Sequence, residues 1–124
     1  MREDEVNLLE ETLEAIRKSG HTVDDVSWVG SADGKYAISW EEFEEIAREV
    51  DYDSGFGAQE VACDLVVVFS DDTWLEREEY DGSEWWRYCR SPRRRPDARP
   101  FTEVACGMWY TLERLNRDGN NREA

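Results

Sequence analysis

The feature that most constrains the fold is an unbroken apolar run, Leu65-Val66-Val67-Val68-Phe69, followed at once by Asp71 and Asp72. A short apolar run rich in β-branched residues belongs at the centre of a sheet, where both faces are covered. Asp71 and Asp72 turn the chain, Thr73 to Glu79 returns as a strand, Asp81-Gly82 supplies a second turn, and Trp85 to Cys89 makes a third strand. An antiparallel meander at the heart of the sheet is therefore expected.

The segments before and after the meander read as helices and one hairpin. Val6, Leu9, Leu13 and Ile16 recur at steps of three and four, with Glu3, Asp4 and Glu5 ahead of them and Gly20 behind, which predicts a helix over 4–18. Val26 to Ser31 and Lys35 to Ser39 flank Asp33-Gly34, a pair that tolerates the positive φ of a tight hairpin. Ser39 and Glu42 form a capping box, with Phe43, Ile46, Ala47 and Val50 as the buried face of a helix over 40–50. Asp51 to Gln59 reads as a loop, Ser91 to Pro100 as an exposed arginine–proline loop, and 105–116 as a last helix carrying Met108, Leu112 and Leu115. The order α-β-β-α-β-β-β-α defines the expected class, α+β, with a mainly antiparallel sheet of about four or five strands and three helices.

With 124 residues, the chain is expected to form one domain over 1–116, the segment 90–100 included, with a flexible tail at 117–124. The 40% apolar content, with six Trp, five Tyr and four Phe, is enough to build a core despite 36% charged residues. Cys63, Cys89 and Cys106 lack the close paired spacing of a zinc or redox motif and read as free thiols. No apolar run approaches the roughly 18 residues of a membrane span, and the first residues lack the apolar stretch of a signal peptide, so a cytoplasmic location is expected.

No segment carries a complete chemical motif. Residues 33–43 are similar to the second half of an EF-hand, but aligned on Gly34 the last ligand position is Trp40, and aligned on Glu42-Phe43 the glycine position is Tyr36. Asp51, Asp53 and Gly55 begin like another calcium loop, yet its glycine and bidentate positions are Phe56 and Ala62. Gly55-Phe56-Gly57 is too short for a phosphate loop and offers Phe56 as an exposed contact instead. The single histidine, His21, has no thiol near it in sequence. No catalytic residue, cofactor or metal is expected.

Charge is informative because it is segregated. The net charge is −15, yet Arg87, Arg90, Arg93, Arg94, Arg95 and Arg99 against Asp97 make 87–99 a +5 segment in a −20 background. Such a background repels nucleic acid and anionic membranes and attracts basic partners. The acids cluster as well. Glu41, Glu42, Glu44, Glu45, Glu49, Asp51 and Asp53 line or follow the second helix, while Asp71, Asp72, Glu76, Glu78, Glu79, Asp81 and Glu84 crowd the meander. Folded together they make either a solvated face or a carboxylate-studded face that imitates duplex phosphates and occupies the basic groove of a nucleic-acid-handling protein. The arginine segment either folds back over the acidic faces or, with Trp85, Trp86, Arg93, Arg94 and Arg95, contacts an acidic partner or RNA.

In size, acidity, aromatic richness and the character of the run from Tyr52 to Trp86, the chain resembles the small proteins that phages and mobile elements encode to block host defences, anti-CRISPR proteins among them. That resemblance implies a stoichiometric inhibitor, often a DNA mimic, acting on a basic host protein such as a CRISPR effector, without enzymatic activity or direct DNA binding.

Overall fold

The computed structural model describes residues 5–55 and 59–117. Its elements are β1 (Glu5–Asn7), α1 (Leu8–Lys18), a 3₁₀ turn (Val23–Asp25), β2 (Val26–Ser31), β3 (Ala37–Ile38), α2 (Trp40–Ala47), β4 (Asp51–Asp53), β5 (Leu65–Phe69), β6 (Thr73–Tyr80), β7 (Ser83–Arg90) and α3 (Leu112–Leu115). The class is α+β. Five antiparallel strands in the order β3-β2-β5-β6-β7 form the main sheet, and β1 and β4 form a second, two-stranded one. Among the described residues no helix is long and apolar enough to cross a membrane.

The expected meander is present, with β5 third of the five strands. Asp81 (φ 53) and Gly82 (φ 89) make the two-residue turn between β6 and β7, both in the left-handed region that such a turn requires. The β2–β3 hairpin is also where the sequence puts it. Gly34 there adopts φ 78, and the Asp33 carboxylate accepts from Ser31 Oγ (2.7 Å) and Lys35 N (3.1 Å). These two donors, the Ser31 hydroxyl first, hold the Asp33 carboxyl below its ordinary range. The calcium-like segment is thus a turn whose carboxylate serves the backbone. The Ser39–Glu42 capping box opens α2, with Glu42 N donating to Ser39 Oγ (3.1 Å) and Ser39 N to Glu42 Oε1 (3.0 Å).

Several boundaries differ from the sequence reading. The first helix begins at Leu8 rather than residue 4, because Glu5–Asn7 pairs with Asp51–Asp53, inside the expected loop. Asn7 serves both elements: its Oδ1 accepts from Glu10 N, and its Nδ2 donates to Arg48 O and Asp51 Oδ1. The second helix ends at Ala47. The last helix shrinks to one turn, Leu112–Leu115, capped by Thr111, since Cys106 (φ 78) and Trp109 (φ 66) hold left-handed conformations that a helix excludes. Of the expected tail, residues 118–124 lie outside the described residues, as do Phe56 and Gly57 of the proposed contact.

The core lies on one face of the main sheet. Val29, Val67, Phe69, Leu75 and Trp86 point from β2, β5, β6 and β7 toward Leu8 and Ile16 of α1 and Phe43 and Ala47 of α2. Burying each such large side chain stabilises the fold by roughly 1.5–3 kcal/mol. The buried stripe of α1 is Leu8, Thr12 and Ile16, whereas the expected Leu13 is 38% exposed. A threonine is tolerated there because Thr12 Oγ1 donates to Leu8 O (2.7 Å) and accepts from Trp86 Nε1 (2.9 Å), leaving no polar atom stranded. On α2, Trp40 is buried, while Ile46 is 57% exposed.

The sequence reading carries one domain through residue 116; Cα packing gathers the chain into two compact units, Met1–Ser91 and Pro92–Ala124. The boundary falls where the arginine–proline segment begins, and charge divides at the same point. Eight basic residues meet twenty-five acidic ones in the first unit, net −17, and seven meet five in the second, net +2.

Candidate functional site

Strand alternation sorts the meander's side chains between the sheet's two faces. Leu75 and Arg77 point toward the helices, so Trp74, Glu76 and Glu78 point away from them. The Glu76 and Glu78 carboxylates of β6 and those of α2 therefore occupy opposite sides of the main sheet and form two acidic regions, not one continuous face.

The two regions differ in how their charges are engaged. On the meander, Glu76 accepts from Trp74 Nε1 (2.9 Å) and Arg87 (3.0 Å), with the indole first and the guanidinium next holding its carboxyl below the ordinary range. Glu78 pairs with Arg87 (3.5 Å), and Glu79 accepts from Gly82 N (2.8 Å). Asp71 accepts from Thr73 Oγ1 (2.5 Å) and meets His21 Nε2 at 2.8 Å; the Thr73 hydroxyl first, then His21, bring its pKa down to about 2. Asp72 takes the left-handed turn position at φ 71. Glu84 and Asp53 are buried.

The α2 region is different. Glu41 and Glu45 share one face of α2, Glu49 follows in the turn after its end, and all three are exposed; among the described residues none makes an ion pair. Glu42 belongs to the capping box, and Glu44 reaches Arg48 at 3.9 Å. Like charges spaced four apart destabilise a helix by a few tenths of a kcal/mol per pair. This stripe therefore lowers the stability of the fold that carries it.

Beside the stripe, a cleft of about 580 Å³ lies among α2, the β2–β3 hairpin and residues 60–65. Leu8, Val29 and Phe43 make its buried floor, Ile46 and Val50 one wall, and the exposed carboxylates of Asp51, Glu60 and Asp64 its rim. Gly30 shapes the hairpin edge: a Cβ there would stand 1.9 Å from the Tyr36 carbonyl oxygen.

A buried polar network fixes the opposite wall. The Glu84 carboxylate accepts from Glu60 N (2.7 Å), Val61 N (3.3 Å) and Arg77 Nη2 (2.9 Å). Arg77 also donates to Tyr52 Oη (2.8 Å), meets Glu11 at 3.3 Å and lies 4.8 Å from the Trp86 ring centroid. Burial opposes the Arg77 charge, but Tyr52, Glu11 and Glu84 together raise its pKa. Burial, reinforced by the 2.6 Å bond that Tyr52 donates to Glu11, drives the phenol upward. The whole network ties the segment behind the cleft to β4, α1 and the sheet.

His21 sits in an arrangement invisible in the sequence. Its Nδ1 lies 3.0 Å from Ser19 Oγ, its Nε2 2.8 Å from Asp71, and its ring stacks on Phe69 at 4.0 Å. Ser19 Oγ donates its proton to the Ile16 carbonyl (2.7 Å), so the hydroxyl serves the end of α1, and the imidazole clips that end to the β5–β6 turn. Cys63, Cys89 and Cys106 are free, and burial pushes the Cys89 thiol up.

The aromatic pair divides: Trp86 is core, and Trp85, 39% exposed, is directed to the other face of β7. Arg87 is engaged with Glu76 and Glu78 in the first unit. Arg93, Arg94 and Arg95 are exposed in the second unit, where Arg95 pairs with Asp97 at 3.3 Å. That unit buries no apolar side chain among its described residues and exposes Met108 and Trp109 at 77% and 92%. Asn116 organises it: Oδ1 accepts from Thr102 N and Glu103 N, and Nδ2 donates to Glu103 O and Leu112 O.

The rim acids Glu60 and Asp64 and the wall residue Ile46 were not legible as parts of a site. Glu60 and Asp64 stand alone in sequence, and the helical period of Ile46 points to the core. The fold and cleft define an acidic α+β protein with an apolar groove edged by carboxylates. No protein-family model, no curated protein sequence and no solved structure matches the chain.

Proposed function

We propose that this chain is a non-catalytic binding protein whose acidic first unit docks on a basic, nucleic-acid-handling protein, such as a CRISPR effector, and competes with its nucleic acid. The observation that carries this reading is the stripe of Glu41, Glu45 and Glu49, exposed and without ion pairs among the described residues, on a unit of net charge −17. Carboxylates presented by α2 and the turn that follows it substitute for phosphates in a basic groove, and the wider field raises the rate of encounter. The groove in question is basic because it binds a polyanion, so DNA mimicry by this stripe is the form the competition takes.

The test is a gel shift of DNA bound to such an effector, titrated with this protein. The protein should release the DNA, less effectively at high salt, and Glu41→Lys/Glu45→Lys/Glu49→Lys should abolish release. DNA that stays bound at excess protein refutes the reading. The exposed aromatics and arginines of the second unit favour a second reading, an adaptor that engages an acidic partner through Arg93, Arg94, Arg95 and Trp109. Reversing the three arginines to Glu separates the two, since only the adaptor reading loses binding.

A further inference from the structure

We infer that the cleft beside α2 is a peptide-binding site for a basic segment carrying one large apolar side chain, flanked by lysine or arginine. This rests on the reading that the acidic unit faces a basic protein, and it names the part of that protein that is gripped. Two features select the ligand. The floor and wall are Leu8, Val29, Phe43, Ile46 and Val50, and the Ser31 and Tyr52 hydroxyls that also line the cleft are already bonded to Asp33 and to Glu11 and Arg77, so the anchor that gains from entering is apolar. At about 580 Å³ the cleft admits a tryptophan or leucine side chain with the adjoining backbone.

The rim then fixes the sign of what flanks the anchor. Asp51, Glu60 and Asp64 are exposed around the opening, and Glu60 and Asp64 make no ion pair among the described residues, so cations on either side of the anchor find partners without displacing an internal one. Asp51 keeps one oxygen on Asn7 and presents the other. An acidic segment meets the same apolar floor but is turned away by the rim and by the −17 charge of the unit, and a neutral one gains nothing from either. The wall behind Glu60 and Val61 is held by the buried Glu84 carboxylate, so the cleft is formed before a ligand arrives.

The probe is a fluorescein-labelled peptide in which lysines and arginines flank a Trp–Leu pair, followed by anisotropy with the full chain. Its control replaces Trp–Leu by Gly–Ser at the same charge. The Trp–Leu peptide should bind at least about tenfold more tightly than the control. Ala62→Trp, which fills the cleft from an exposed lining position, should weaken it by about tenfold or more, as should Glu60→Lys/Asp64→Lys, a pure surface change. Equal affinity for the control peptide, or unchanged affinity in both the filled and the rim-reversed variants, overturns the inference. If the peptide fails these tests while the parent protein still releases DNA from the effector, the cleft inference falls and the docking reading stands. If the Trp–Leu peptide binds but no DNA is released, the docking reading falls and the cleft remains a basic-peptide site.

Discussion

Glu84→Ala should be among the most destabilising single changes in this protein, and its loss should add only in part to that of Arg77→Met. Both side chains are fully buried and meet at 2.9 Å. Removing Glu84 leaves a buried guanidinium held only by Tyr52 and by Glu11 at 3.3 Å, a loss of about 3–5 kcal/mol. It also strands the Glu60 and Val61 N–H groups, about 1 kcal/mol each where water does not reach them. The single variant should therefore lie about 4–6 kcal/mol below the parent. Arg77→Met keeps an apolar stem against Trp86, leaves Glu84 its two backbone donors and leaves Tyr52 bonded to Glu11, so about 2–4 kcal/mol is expected. The double variant removes both fully buried charges together, and its loss should fall short of the sum by at least about 2 kcal/mol. Urea unfolding near neutral pH with an unchanged slope reads these differences as midpoints. Glu84→Gln, which keeps an acceptor oxygen, replaces Glu84→Ala if the latter is unfolded in buffer. Losses that add within about 0.5 kcal/mol would refute the argument that the pair is mutually compensating.

Two further outcomes follow from single contacts. The Asp71 carboxyl is lowered from 3.8 to about 2 in the fold, so its contribution is fully present above about pH 4 and disappears as pH falls toward 2. The difference in urea midpoint between the parent and Asp71→Asn should shrink across that window, and a difference constant down to about pH 2 would sink the assignment. Thr12→Val keeps the volume but leaves Trp86 Nε1 without its acceptor, and should lower stability by about 1–3 kcal/mol, read by Trp fluorescence during unfolding; a change under about 0.5 kcal/mol would show that the indole finds another partner.

Features whose physics is completed within a few residues can be read from the chain directly. The Leu65–Phe69 strand, the turns at Asp33-Gly34 and Asp81-Gly82 and the Ser39–Glu42 cap were all legible, because left-handed glycines and reciprocal cap bonds need no distant partner. The charge segregation was legible too, being a property of composition along the chain. The tertiary structure decided everything that depends on a partner remote in sequence. The short β1 and β4 strands exist because Glu5–Asn7 and Asp51–Asp53 satisfy each other's backbone. Thr12 displaces Leu13 from the core because Trp86, 74 residues away, supplies a donor. Glu84 and Arg77 are buried because each neutralises the other, whereas Ile46, core-like by period, stays 57% exposed at the cleft. The acids that read as one population in sequence are split by strand alternation. Glu76 and Glu78 of β6 fall on one side of the sheet, engaged with Arg87, and the acids of α2 on the other, with Glu41, Glu45 and Glu49 outside any ion pair among the described residues, since the sheet's two faces decide which charges meet a partner.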